Sequence, residues 1–359
     1  PYKIKGVNRH QDRPDKGWAI SSADHREDMS LIKEIGANGI RLAHYPHSDE
    51  FYTLCDREGM LVWAEIPLVG KALDTPELTE LIRQNFNHPS IFCWSLCNEL
   101  SKGDVKGLIS ELNSVSHRED PGRLTVLAAN VEKRPENAVP DIMAFNTYPG
   151  WYWAEPSEMK STLERWNRQC GNKGIAVSEY GAGANVWHHW QTGKKTPKAD
   201  GVFHPEEWQA TVHEQTYDAI KRSGFAWGSF VWNMFDFASA SRNEGDMPGM
   251  NDKGLVSYDR KIRKDAFYFY QSEWSEEPVV HIASRRDVAR RDSLTDVKVY
   301  TNCETVRLKV NGKDCGSPER NGSICIWRKV GLKHGENQVE AFGHRGGQEF
   351  SDRCKWVLF

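Results

Sequence analysis

The first 276 residues alternate two patterns of apolar positions. Eight short runs are almost continuously apolar, as strands buried on both faces of a parallel sheet must be: Lys3–Val7, Gly39–Leu42, Leu61–Ala64, Ile91–Ser95, Leu124–Leu127, Ile142–Phe145, Ile175–Ser178 and Ala226–Val231. Between them lie longer stretches in which apolar residues return every three or four positions, the period of a helix with one buried face. Ser21 followed by Asp24 predicts a capping box that opens a helix closing near Gly36, and a second helix is expected after Ser48. After His204, Pro205 is expected at the first helical position. Trp208, Val212 and Ala219 then share one face, Glu, Gln and Lys fill the other, and Gly224 ends the helix.

Eight strand-then-helix units predict an α/β fold, a closed (β/α)8 TIM barrel over residues 1–276. An open doubly wound sheet fits less well, because the GxGxxG that usually follows its first strand is missing. The stretch 192–205, rich in Gly, Lys and Pro, reads as a long barrel loop. Past Trp274 the pattern changes to Pro278, polar turns and alternating strands at Val297–Tyr300, Val306–Val310, Ile324–Trp327 and Val339–Phe342. Turns at Asn311-Gly312 and His334-Gly335-Glu336-Asn337 complete the signature of a small all-β immunoglobulin-like sandwich over 277–359.

Composition narrows the partners. A net charge of −3 offers no basic surface for nucleic acid and no acidic excess of the kind that keeps a chain disordered. No run of 18 apolar residues predicts a membrane span. The opening Pro1-Tyr2-Lys3, without Met or signal peptide, leads us to expect a soluble segment of a longer polypeptide. The 8 Cys are scattered without a CxxC pair, so neither a metal framework nor a disulfide scaffold is indicated, and no metal or cofactor is expected. The 14 Trp favour a sugar partner, because aromatic faces stack on the C–H surfaces of a pyranose.

Active sites of this barrel class gather at the carboxyl ends of the strands. There the chain places Asn8-Arg9-His10, Ala43-His44-Tyr45, Asn98-Glu99, Asn146 with Tyr148, Glu179-Tyr180 and Trp232-Asn233. Glu99 and Glu179 follow strands three apart on the ring, so both can face one central mouth. Glycoside hydrolysis needs such a pair, one carboxylic acid to protonate the leaving oxygen and one carboxylate to act as nucleophile or base. The adjacent Trp187-His188-His189-Trp190 tempts a metal reading, but neighbouring His do not share a helix face and no third ligand is evident. Arg242, Glu244 and Asp246 read as a solvated or loop-bracing charged stretch.

Several motifs together resemble glycoside hydrolase family 2. They are Gly6-Val7-Asn8-Arg9-His10, Arg41-Leu42-Ala43-His44-Tyr45-Pro46, His88-Pro89-Ser90-Ile91 running into Trp94-Ser95-Leu96-Cys97-Asn98-Glu99, Ser178-Glu179-Tyr180-Gly181 and Phe230-Val231-Trp232. The tail, with Val306–Lys313 and Leu332–Asn337, resembles the sandwich that follows the barrel in many bacterial β-galactosidases of that family. The resemblance implies a retaining double displacement with Glu99 as acid/base and Glu179 as nucleophile. It also implies Asn98 on the 2-hydroxyl, Tyr148 on Glu179, His10 and His44 on other hydroxyls or ordering Glu99, and Trp232 flooring the pocket.

By the same resemblance a jelly roll and an immunoglobulin-like domain of the same polypeptide would precede the barrel, in a bacterial protein that is periplasmic or secreted. Oligomeric state stays open, homo-oligomers included. Two family features are missing. Glu65 is followed by Ile66-Pro67-Leu68-Val69-Gly70-Lys71 rather than a magnesium-binding Glu-x-His, and Ala182 stands where some members carry His.

The leading expectation is an exo-acting β-galactosidase. Its rival is a β-glucuronidase, because Asn251-Asp252-Lys253 matches the Asn-x-Lys pattern that holds a sugar carboxylate in those enzymes. A non-catalytic carbohydrate-binding module is a third class, and it would have no need of two facing carboxylates.

Overall fold

The computed structural model describes residues 3–69, 76–100, 104–131, 134–190 and 196–359. Gly70 and Lys71, and the start of the loop expected at 192–205, lie outside the described residues. Eight parallel strands close into a barrel: β1 (Ile4–Arg9), β2 (Gly39–Leu42), β3 (Leu61–Glu65), β4 (Ile91–Asn98), β5 (Leu124–Ala129), β6 (Ile142–Asn146), β7 (Ile175–Tyr180) and β8 (Ala226–Val231). Hydrogen bonds from β1 to β8 complete the ring, with Ile4 opposite Gly228.

A strand's period of two puts Gly6 with Asn8, Trp63 with Glu65, Cys93 with Ser95, Ala144 with Asn146 and Ala176 with Ser178 on the inward face. The lower layer is apolar and mixes large with small residues: Trp63 and Phe230 interlock with Ala128, Ala144 and Ala176. Glycine is required at position 6, where a Cβ would lie 2.3 Å from Phe230 Cδ1. The layer above it is polar and belongs to the site.

Helices α1 (Ser22–Glu34), α2 (Asp49–Glu58), α3 (Pro76–Asn85), α4 (Val105–Glu119), α5 (Met159–Gln169), α6 (Glu206–Arg222) and α7 (Asp265–Trp274) surround the ring. The capping box at Ser21 forms as expected, with Asp24 Oδ2 accepting from the Ser21 backbone N–H at 2.7 Å. Two expectations need correction. The β5–β6 crossover carries only a short 3-10 turn, Pro135–Ala138, among its described residues, so the eight units are not uniform. Pro205 is the cap of α6 rather than its first residue, and Glu206, Gln209, His213 and Thr216, polar in sequence, are buried along with Val212.

The sandwich has two sheets. One is β11 (Val280–Ile282), β13 (Leu294–Thr301), β17 (Ile324–Gly331) and β16 (Glu319–Asn321); the other is β12 (Ala289–Arg290), β19 (Gln348–Leu358), β18 (Gly335–Arg345), β14 (Thr305–Val310) and β15 (Lys313–Asp314). Val297, Val299, Leu308, Val339, Ala341, Trp327 and Trp356 form its core. A two-stranded ribbon, β9 (Phe237–Ala238) and β10 (Met250–Asn251), stands on the barrel rim.

Buried charge joins the sandwich to the barrel. Arg286 reaches back to Glu206 at the start of α6, with Nε 3.0 Å from Oε2 and a second contact from Nη2 to Oε1. Asp265, opening α7, donates its backbone N–H to Glu206 at 2.6 Å and holds His281 of β11 at 3.0 Å. Tyr268 stacks on the His281 ring at 3.6 Å. Burial and the neighbouring Asp265 raise the Glu206 carboxyl to about 7 in spite of Arg286.

This junction predicts that Arg286→Met, which strands a buried carboxylate, costs about 3 kcal/mol in urea denaturation, and that adding Glu206→Gln recovers part of the loss. An acid whose folded pKa is raised loses stability as pH climbs through that value. The penalty of Arg286→Met is therefore larger at about pH 8 than at about pH 6. A penalty independent of pH would contradict the assignment.

Candidate active site

The polar inward layer is organised by Arg41, whose side chain is wholly buried at the middle of β2. Its Nε and Nη2 meet Glu65 Oε2 and Oε1 at 2.8 and 3.0 Å. Nη1 donates to Glu179 Oε1 at 2.7 Å and to Asn8 Oδ1 at 3.1 Å, and Nη2 donates to Asn98 Oδ1 at 2.8 Å. One guanidinium thus joins residues from β1, β3, β4 and β7. Burial opposes its charge, but Glu65 and Glu179 outweigh this and raise its pKa. Burial would likewise raise the Glu65 carboxyl; Arg41 and His44 instead hold it down at about 2.

The two carboxylates singled out in the sequence receive different treatment. Glu179, at the end of β7, accepts from Arg41 on one oxygen and from the Tyr148 hydroxyl on the other at 2.6 Å. Glu99 follows β4 with its backbone in the left-handed region at φ 55°, a conformation that costs a non-glycine residue about 1–2 kcal/mol. Its N–H is held by Ala128 O at 2.9 Å. The Asn146 amide donates to its Oε1 at 2.7 Å, and Ser178 Oγ fixes Asn146 from behind at 2.6 Å. Burial, reinforced by the charge of Glu179, raises the Glu99 carboxyl. Glu179 thus meets two strong donors, whereas the surroundings of Glu99 favour the proton.

The remaining sequence candidates divide into two groups. His44 follows β2 and places Nδ1 2.7 Å from Glu65 Oε1, with Nε2 3.8 Å from Glu179 Oε1. Trp232, after β8, stacks on His44 at 5.0 Å and meets His10 edge-on at 5.4 Å. His10 bonds Tyr45 through Nδ1 at 3.2 Å, whereas its buried Nε2 lacks a protein partner. Burial, together with His44 and Arg41, holds its pKa well below the usual value, so His10 is neutral.

Asn251 and Lys253 form the second group, on the ribbon beyond β8. Asn251 turns its Oδ1 back onto the Lys253 N–H at 3.2 Å. The Lys253 ammonium, only 1% exposed, lies 5.2 Å from the Tyr152 ring and 5.5 Å from the Trp151 ring. Tyr152 meets Tyr148 edge-on at 5.1 Å, which connects Lys253 to Glu179 through two rings.

The structure adds residues that sequence reading passed over. Neither Arg41 nor Glu65 is assigned a role from sequence, although a charged side chain between Ile40 and Leu42 in a four-residue strand signals a buried role. Of the two readings of its stretch, Glu244 fits the bracing one, because its carboxylate is buried and joins Arg242 and Lys253 rather than facing water. Gly181 follows Glu179-Tyr180 at φ 143°, and a Cβ there would lie 2.8 Å from both His213 Cε1 and Trp232 O. His189 pairs with Glu207 at 2.9 Å, and among the described residues no three His, Cys, Asp or Glu are placed to hold a metal. Among them, too, no helix is long and apolar enough to cross a membrane.

Residues 1–77 and 73–276 match the family described as glycosyl hydrolases family 2, TIM barrel domain, and residues 292–351 match a domain family of unknown function, DUF4982. A β-glucuronidase of Bacteroides fragilis is 42% identical over 355 residues, covering 94% of this chain and 51% of that protein. A solved Bacteroides fragilis structure, provisionally named a β-galactosidase, superposes with TM-score 0.95 at 34% identity, covering 99% of this chain and 55% of the other. An FMN-binding β-glucuronidase from Facaelibacterium prausnitzii superposes with TM-score 0.92 at 37% identity, covering 99% and 56%. The chain spans about half the length of the curated relatives it matches.

Glu65 supplies the prediction here. Its folded pKa of about 2 lies below the ordinary 4.5, so its contribution is complete above the ordinary value and is lost as pH falls toward 2. The shift corresponds to a loss on the order of 3 kcal/mol between about pH 5 and pH 2. Glu65→Gln should be destabilised by about 3–5 kcal/mol at neutral pH and should show a flatter acid limb in urea titrations. An acid limb as steep as the wild type's would show that Glu65 is not held in this way.

Proposed function

Because the chain belongs to glycosyl hydrolases family 2, we propose that it is the barrel and following sandwich of a retaining, exo-acting β-glucuronidase. In this reading Glu99 protonates the glycosidic oxygen while Glu179 attacks the anomeric carbon. The C–O bond to the leaving group breaks as the ester bond to Glu179 forms. Water deprotonated by Glu99 then releases the sugar. Arg41 and Tyr148 stabilise the negative charge of Glu179 between turnovers.

Both acceptor sites of Asn98 Oδ1 are taken by Arg41 and Asn146, which leaves its amide nitrogen to donate to the 2-hydroxyl. The unpartnered His10 Nε2 suits another hydroxyl, and Trp232 gives the pyranose an apolar face. The rest of such a polypeptide would carry the jelly roll and immunoglobulin-like domains expected from the family resemblance.

The observation that carries the sugar assignment is Lys253. A buried ammonium beside Tyr152, with a carboxylate only at 3.5 Å, gains most from a ligand that brings its own negative charge. Galactose, the sugar expected first from sequence, has only a neutral hydroxymethyl to offer at carbon 6. Relatives named β-glucuronidase favour the uronic acid as well. The neighbour provisionally named a β-galactosidase supports the galactoside as the second reading.

We expect the full-length protein to cleave 4-nitrophenyl β-D-glucuronide in preference to the galactoside. Lys253→Ala should lose about tenfold to 150-fold on the glucuronide, the equivalent of one charge-assisted contact, and far less on neutral sugars. A wild-type preference for the galactoside would overturn the assignment.

The mechanism has its own test. A 2-deoxy-2-fluoro-glucuronosyl fluoride should label Glu179, and a label on Glu99 would reverse the roles. Glu99→Ala should spare activated aryl substrates more than poor leaving groups, because the former need little protonation.

A further inference from the structure

Behind Lys253 stands a charge arrangement that the hydrolytic chemistry does not use. Glu244 Oε1 receives two cations: Arg242 Nη1 at 2.7 Å and Lys253 Nζ at 3.5 Å. Arg242 Nη1 also reaches the Tyr152 hydroxyl at 3.3 Å, and Lys253 lies against the ring of that same tyrosine. The neighbouring Asp252 places Oδ2 2.6 Å from His204 Nδ1 and acts on Lys253 through charge, without an ion-pair contact. Asp236 is taken by Lys264 at 2.8 Å. The local group is therefore two positive charges sharing one carboxylate oxygen, with Lys253 and Glu244 only 1% and 9% exposed.

The side chains are not needed to close their loop. Backbone bonds from Ser239 N to Gly249 O and from Gly249 N to Arg242 O, both 2.8 Å, already do so. A buried cation without a full counter-charge is costly, and among the described residues Lys253 has within ion-pair distance only Glu244, which it shares with the 30% exposed Arg242.

We propose that Arg242 and Glu244 are positioning residues that set the preference for a sugar carboxylate. Glu244 fixes the Lys253 ammonium against Tyr152. Arg242 takes the nearer share of the Glu244 charge, so that the cluster keeps one net positive charge for an entering anion. A uronic acid brings the cluster to neutrality, and a neutral sugar leaves it charged. The inference rests on the glucuronidase reading.

Charge arithmetic gives a test that a mere loop brace would not pass. Arg242→Gln makes the cluster neutral before substrate arrives. Arg242→Gln with Glu244→Gln restores one net positive charge, and the new amide oxygen still accepts from Lys253. Arg242→Lys keeps the charge throughout.

The readout is kcat and KM of the full-length protein on 4-nitrophenyl β-D-glucuronide and on the isosteric 4-nitrophenyl β-D-glucoside. Arg242→Gln should raise the glucuronide KM about tenfold, with most of kcat retained and a much smaller change on the glucoside. The double variant and Arg242→Lys should each return to within about threefold of wild type, a residual the two altered hydrogen bonds allow.

A double variant as impaired as Arg242→Gln, or worse, would overturn the inference and leave the glucuronidase reading intact. A wild type without glucuronide preference, in which Lys253→Ala affects both substrates alike, would remove that reading and this inference with it.

Discussion

A guanidinium enclosed by the barrel is tolerable only if every donor and every unit of charge is matched, and Arg41 meets that condition by gathering the site around itself. Glu65 supplies the primary counter-charge through two hydrogen bonds, and Glu179, Asn8 and Asn98 take the other donors. The fork of the side chain fixes directions as well as distances, which a lysine ammonium at the same place could not do. Each strand that contributes a ligand to Arg41 is thereby held in register with the others at the carboxyl end of the barrel.

The apolar layer beneath makes this arrangement possible. Trp63 lies under Arg41, with the guanidinium carbon 5.2 Å from its ring, and excludes water from below. Within the barrel, polarity rises in one step from the layer of Trp63 and Phe230 to that of Asn8, Arg41, Glu65 and Ser95. Low dielectric strengthens the ion pairs and makes any unpaired member expensive, so the network is all-or-none. Tyr148, Asn146 and Ser178 extend it to Glu179 and Glu99 without adding formal charge.

Much of this was legible in the sequence, and the misses share a cause. Apolar runs located all eight barrel strands, but six are longer at the carboxyl end than the runs: β5 by Ala128 and Ala129, and β1, β3, β4, β6 and β7 past the point where apolarity stops. In β1, β3, β4, β6 and β7 the extra residues include Asn8, Glu65, Asn98, Asn146 and Glu179, polar side chains that hydrophobic periodicity assigns to loops although they belong to the ladder. The last sandwich strand, β19, escaped for a related reason: Asp352 interrupts its inward row, where it accepts the Ile282 N–H at 2.8 Å. Glu206, Gln209 and His213 on α6 likewise read as a wet face and are buried. Wherever a buried polar group is satisfied by a distant partner, the local pattern points the wrong way, because the partner is visible only in three dimensions.

The same reasoning explains why the carboxylate pair was easier to place than the Lys253 cluster. Glu99 and Glu179 are distinguished by what surrounds them at strand ends: a left-handed backbone and a single amide for one, a guanidinium and a phenol for the other. Those surroundings come from β2, β4, β6 and β7, whose motifs are local and compact. Lys253 lies instead just past the β9–β10 ribbon, and it rests on Glu244 nine residues earlier and on Tyr152 about a hundred residues earlier. Two separate supports follow. The Arg41 network holds Glu179 directly and Glu99 through Asn98 and Asn146, whereas the Lys253 cluster reaches Glu179 only through the rings of Tyr152 and Tyr148. On the proposed reading, such a barrel keeps one hydrolytic mechanism while its substrate range shifts, because Arg41 and Lys253 do not share a counter-charge.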